Sequence, residues 1–109
     1  MIFFFSCLMS VVILSSCNSA PEIPLHPLQG EKLFEIHCSA CHIGGTNFIL
    51  PEKNLTHETL AVTGMYKIKS LHYLVTNGKN GMPPFGDRLT EKEIEAIAIY
   101  VFQTSPLWT

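Results

Sequence analysis

Five consecutive residues carry the most specific chemistry in the chain: Cys38, Ser39, Ala40, Cys41 and His42. Two cysteines separated by two residues and followed at once by histidine form the C-x-x-C-H pattern of covalent haem attachment. The spacing has a mechanical reason. One turn of helix sets the two sulfurs as far apart as the vinyl groups on neighbouring haem edges, and the next side chain can swing an imidazole beneath the iron. Covalent attachment also pins a cofactor that a small core could not hold by burial alone.

Two other chemistries use close cysteine pairs. A thioredoxin-like dithiol needs a preceding strand and βαβ surroundings, and the sequence before Cys38 offers neither. A structural zinc site needs four ligands. Cys38 and Cys41 would have to recruit two of His26, His37, His42, His57 and His72, none of which are paired at finger spacing. Haem is the reading the motif favours, and His37, His57 and His72 read as solvent-side residues.

His42 would take one face of the iron, and the other depends on what the chain offers. A thioether favours ferrous iron and raises the potential, which suits an electron carrier. Of four methionines, Met1 and Met9 fall in an N-terminal apolar segment, which leaves Met65 and Met82. Met82 sits in Asn80-Gly81-Met82-Pro83-Pro84-Phe85-Gly86, where two prolines stiffen a loop able to hold sulfur against iron. Met65, beside Gly64, reads as packing. The alternative is an open or histidine-filled sixth position, which would permit a haem-based enzyme or sensor. With His42 and Met82 both bound, no position remains for oxygen or substrate, and outer-sphere electron transfer is what remains. The reading is therefore an electron-transfer protein with no catalytic residue.

The elements that must position these residues fit in 109 residues, one domain's worth. The formal charge of −2, with only 7 Lys and Arg, provides no basic stripe for a nucleic-acid partner. Residues 1–20 hold 14 apolar side chains and no charge. A bilayer-spanning helix needs ~20 apolar residues, so this short run ending in small residues reads as a secretory signal peptide with an uncertain cleavage site. The mature form is then not an integral membrane protein. Leu14-Ser15-Ser16-Cys17 also resembles a lipoprotein box, which would instead leave the domain lipid-anchored at Cys17.

Three prolines make residues 21–28 an extended linker, and 29–109 the haem domain. Leu33, Phe34 and Ile36 predict a helix from about Gln29 to Ala40. Thr56 is placed to cap a short helix to Val62. Ile68, Leu71 and Val75 mark one face of a third helix ending at Asn77-Gly78. Thr90-Glu91-Lys92-Glu93 is a capping box, followed by Ile94, Ile97, Ala98 and Val101 at helical spacing until Pro106 forbids continuation. No sustained alternation predicts a sheet. The fold class is all-α: about four short helices and long loops around one covalently bound haem. So small a core needs such a staple.

Several segments beyond the motif resemble the cytochrome c6 family. They are Gly30-Glu31-Lys32-Leu33-Phe34, Gly44-Gly45-Thr46-Asn47, Pro51-Glu52-Lys53-Asn54-Leu55, and the run from Val75 through Thr76-Asn77-Gly78-Lys79-Asn80 to Leu89. The resemblance spans about Gly30 to Trp108 and implies a class I cytochrome c fold with one haem c. By residue, Cys38 and Cys41 match the thioether cysteines and His42 and Met82 the axial ligands. Arg88 matches an arginine near the docking surface, and Asn47 a position near the haem propionates. The implied function is a soluble one-electron carrier of photosynthetic electron transport. Its donor would be cytochrome f of the b6f complex and its acceptor photosystem I, in the thylakoid lumen.

Leu74 and Pro84 depart from that family, which commonly carries glutamine and alanine there. The leader lacks the bipartite length of a nuclear-encoded plastid presequence, which fits a cyanobacterial or plastid-encoded protein. The alternative function is a periplasmic c-type cytochrome donating to a terminal oxidase or reductase.

Overall fold

The computed structural model describes residues 27–109. The leader expected over 1–20, Cys17 within it, His26 and most of the 21–28 linker lie outside the described residues.

Helix α1 runs over Pro27–His37. It begins earlier than the apolar spacing predicts, because Pro27 is its first residue. Proline's fixed φ suits that position, where its missing N–H breaks no helical bond. The expected single helix to Ala40 is broken at Cys38, whose φ of −120° and ψ of −28° leave Ser39–His42 as a separate turn, α2. Continuity survives in the hydrogen bonds: Cys38 N–H donates to Phe34 O at 2.8 Å and His42 N–H to Cys38 O at 2.9 Å. A 3-10 turn over Ile43–Gly45 then reverses the chain, with Gly45 at φ 81°. That backbone favours glycine, and a Cβ at Gly45 would also sit 2.5 Å from the Trp108 ring.

Helix α3, His57–Val62, is capped as expected by Thr56, whose hydroxyl accepts from Thr59 N–H at 3.3 Å. Helix α4, Ile68–Asn77, buries Leu71 and Val75, while Ile68 in its first turn stays 37 % exposed. Helix α5, Glu91–Thr104, has both arms of the capping box. Glu93 N–H donates to Thr90 Oγ1 at 3.2 Å, and Thr90 N–H to Glu93 Oε1 at 3.0 Å. A 3-10 turn over Ser105–Leu107 ends it at Pro106.

Helix α5 is the centre of the packing and lies against both α1 and α4. At the α1–α5 crossing the helices approach so closely that a Cβ on Gly30 would fall 2.3 Å from Ala96 O. Ile94 and Ile97, 2 % and 1 % exposed, each contribute about 1.5–3 kcal/mol by burial. Phe34, Leu60, Leu71, Val75, Phe85 and Val101 belong to the same apolar cluster. Among the described residues there is no strand, only an isolated bridge between Lys79 and Met82. None of their helices is long and apolar enough to cross a membrane.

Candidate functional site

A cleft of about 430 Å³ opens between α2, the core and the loop after α4. That volume is within the ~300–1,000 Å³ range of small-molecule and cofactor sites. Its floor is the apolar cluster, through Phe34, Leu71, Val75, Phe85, Ile97 and Val101. Cys38, Cys41, His42 and Met82 all line it, so the fold brings the four sequence-predicted site residues to one place.

The break at Cys38 puts its sulfur inside. Cys38 is 7 % exposed, and burial, with the neighbouring Cys41, pushes its thiol up to about 11. Cys41 is half-buried, and both thiols are free rather than joined to each other. His42 Nδ1 lies 2.8 Å from the carbonyl oxygen of Thr46. A carbonyl can only accept, so Nδ1 carries the proton and the Nε2 lone pair is the one available to a metal. Thr46 is itself fixed, its N–H and hydroxyl both donating to Ile43 O at 3.1 and 2.6 Å. The motif alone did not reveal this brace, because it is a backbone carbonyl four residues on and has no residue-type signature.

Met82 is held by its loop rather than by a helix. Lys79 N–H donates to Met82 O at 3.1 Å and Met82 N–H to Lys79 O at 3.0 Å, closing a two-residue turn over Asn80 and Gly81. Phe85 and Gly86 then donate to Val75 O and Thr76 O at 2.9 and 3.0 Å, tying the loop's far end to α4. Gly78 turns the chain out of α4 at φ 67°, and a Cβ there would meet Met82 O at 2.5 Å. Met65 also lines the cleft, its N–H donating to Leu60 O at 2.7 Å. It lies in the connection between α3 and α4.

The remaining expected positions fall as follows. Asn47 lines the cleft, but its amide is occupied in bracing the loop: Nδ2 donates to Lys53 O at 3.0 Å, and Oδ1 accepts from Ile49 and Leu50 N–H. Leu74 is half-buried on the cleft wall. Arg88 is exposed, with its guanidinium over the Phe85 ring. His57 is exposed and meets the Tyr66 ring edge-on at 4.3 Å, while His72 is half-buried. His37 is exposed yet borders the cleft, edge-on to Phe85. No three His, Cys, Asp or Glu side chains converge on a metal-sized site among the described residues, so a zinc site finds no ligand set there.

The donors fit haem c. Two sulfurs one helical turn apart, an imidazole with its outer nitrogen already hydrogen-bonded, and a thioether share one apolar cleft.

Known proteins agree with this chemistry. Residues 26–101 match the family model described as cytochrome C oxidase, cbb3-type, subunit III. Cytochrome c6 of Petalonia fascia is 53 % identical over 76 residues, which cover 70 % of this chain and 89 % of that protein. Cytochrome c6 of a Synechococcus species is 41 % identical over 101 residues, 92 % of this chain and 90 % of the relative. The crystal structure of cytochrome c6 from the diatom Phaeodactylum tricornutum superposes with a TM-score of 0.72 at 42 % identity, covering 76 % of this chain and 98 % of that one. With the all-α fold and a cleft built for one covalently attached haem c, this likeness settles the matter: the chain belongs to the cytochrome c6 family, whose members carry electrons in photosynthesis and are not enzymes.

Proposed function

We propose that Cys38 and Cys41 form the two thioether links, that His42 and Met82 are the axial ligands, and that the protein takes electrons from cytochrome f of the b6f complex and delivers them to photosystem I. The observation that carries this is the meeting of four donors in one cleft, with the His42 ring already oriented by Thr46 O at 2.8 Å. Met82 is preferred to Met65 because its loop is pinned at both ends by backbone hydrogen bonds and carries Pro83 and Pro84 between them.

Haem c, when bound, supplies the one-electron couple. The chain's own residues keep its surroundings unchanged between the two oxidation states. The Thr46 carbonyl stops the imidazole rotating, the pinned turn holds the thioether in place, and the apolar floor excludes water. Exposed Ile49, Lys53 and Lys79 border the same cleft and give a redox partner a short approach to it.

The compartment that fits these partners is the thylakoid lumen, reached by way of the leader, with the bacterial periplasm as the alternative. Flash-induced kinetics of photosystem I reduction in isolated thylakoids test the proposal. Fast reduction that scales with protein concentration supports it. Failure to reduce photosystem I, together with rapid oxidation by a terminal oxidase, would overturn it.

A further inference from the structure

We infer that Asn80 is a site of spontaneous deamidation, a water-driven modification placed in the turn that carries Met82. The chain contains two Asn-Gly steps in this region, Asn77-Gly78 and Asn80-Gly81, and the structure treats them differently.

Asn77 is the last residue of α4. Its side-chain Nδ2 donates to Tyr73 O at 2.9 Å, and the following Gly78 N–H donates to Leu74 O at 2.8 Å. Both the electrophile and the attacking nitrogen are therefore engaged. Asn80 and Gly81 are exposed at the tip of the turn, and among the described residues no hydrogen bond holds the Asn80 amide or the Gly81 N–H. The other described asparagines, Asn47 and Asn54, each donate from Nδ2 to a backbone carbonyl.

Asn80 has φ 53°, in the left-handed region that asparagine tolerates, while Gly81 does not lie there. Gly81 has no side chain to obstruct closure.

The steps balance. Gly81 N attacks Asn80 Cγ and loses its proton, the carboxamide nitrogen leaves as ammonia, and a succinimide forms. Water then opens either carbonyl of the ring, giving aspartate or isoaspartate. Both products add a negative charge beside Lys79. The isoaspartyl form also moves a methylene into the main chain between the two residues whose hydrogen bonds close the turn. That second effect rests on the reading that Met82 is the ligand: a longer turn should loosen the thioether.

The test is incubation of the holoprotein at mildly alkaline pH, with digests analysed by mass spectrometry beside a free peptide of residues 77–83. Aspartyl and isoaspartyl product at position 80, with Asn77 intact in the protein though not in the peptide, is the expected result. Gly81→Ala should suppress conversion; its Cβ would fall 2.9 Å from Cγ2 of Ile49, an exposed side chain able to move aside. Asn80 that persists while the peptide converts, or conversion of Asn77 at the same rate, would overturn the inference. If the turn governs Met82, the sulfur-to-iron absorption band fades in step with isoaspartate. A band that stays constant while Asn80 converts overturns that consequence. Whether Met82 is the ligand at all is read separately, from the band in fresh protein.

Discussion

The guanidinium carbon of Arg88 lies 4.3 Å from the centre of the Phe85 ring, and that same ring lines the haem cleft. An exposed cation is thereby fixed close to the redox site instead of swinging freely in solvent. Its Nη2 is also 3.5 Å from Pro84 O, at the outer limit of a hydrogen bond.

Arg88→Glu is expected to slow electron delivery to photosystem I at low ionic strength, with the difference shrinking as salt is added. A charge at this distance acts on encounter more than on the bound state. Loss of the stacked cation should cost only about 0.5–1 kcal/mol of stability. Second-order rates measured across a salt series check it. Rates unchanged at low salt would confine Arg88 to packing on Phe85.

Leu74 presents an apolar side chain to the cleft. Leu74→Gln should raise the midpoint potential, because an amide N–H directed at the haem disfavours the extra charge of ferric iron. Leucine opposes this in part by keeping the site drier, but an oriented dipole close to the ring should outweigh a small change in hydration. For a one-electron couple ~59 mV corresponds to ~1.4 kcal/mol, so the shift should be tens of millivolts. A potential that falls or stays put in a redox titration of the variant would contradict this.

Gly30→Ala should be strongly destabilising, since its Cβ would fall 2.3 Å from a backbone oxygen that cannot move without shifting α5. Overpacking of this kind costs about 1–3 kcal/mol. Denaturant unfolding of the holoprotein measures it, and a midpoint equal to wild type would mean the α1–α5 crossing is looser than described.

The capping box gives an acid-dependent prediction. Hydrogen bonds from Thr90, the backbone one first, hold the Glu93 carboxyl below the usual carboxylate range, and the nearby His37 adds to this. A carboxyl depressed in the folded state contributes stability above its unfolded pKa, and that contribution is lost as pH falls through the folded value. The melting-temperature gap between wild type and Glu93→Gln should therefore close in acid. Separately, Thr90→Ala should cost about 1 kcal/mol at neutral pH. A gap independent of pH would show that the carboxylate's charge plays no part in the cap.

Local signals were legible in the sequence where they were self-contained. Thr90 to Glu93 announces the start of α5, and the spacing of Ile94, Ile97, Ala98 and Val101 announces its buried face, both as found. The C-x-x-C-H run was legible because its chemistry needs adjacent residues, and Cys38, Cys41 and His42 all line the cleft. What escaped depends on contacts between distant segments or on backbone atoms. The break at Cys38 goes with its sulfur entering a cleft whose floor includes α5, and nothing in Glu35 to Ser39 signals it. Pro27 reads as linker in the sequence, yet it is the first residue of α1, because proline suits both an extended segment and the first turn of a helix. Thr46 is recognised only when its carbonyl is found beside His42, and the closeness of Gly45 to Trp108 spans most of the domain.

In the proposed ligation His42 and Met82 close both faces of the iron and leave the protein nothing to do but exchange electrons. The most direct measurement is the long-wavelength sulfur-to-iron band of the oxidised holoprotein, wild type beside Met82→Ala. A band is expected in the wild type and none in the variant. The variant should also keep covalent haem, have a sharply lower potential and gain affinity for imidazole. A band that survives in Met82→Ala would contradict this ligation and transfer the ligand role to Met65.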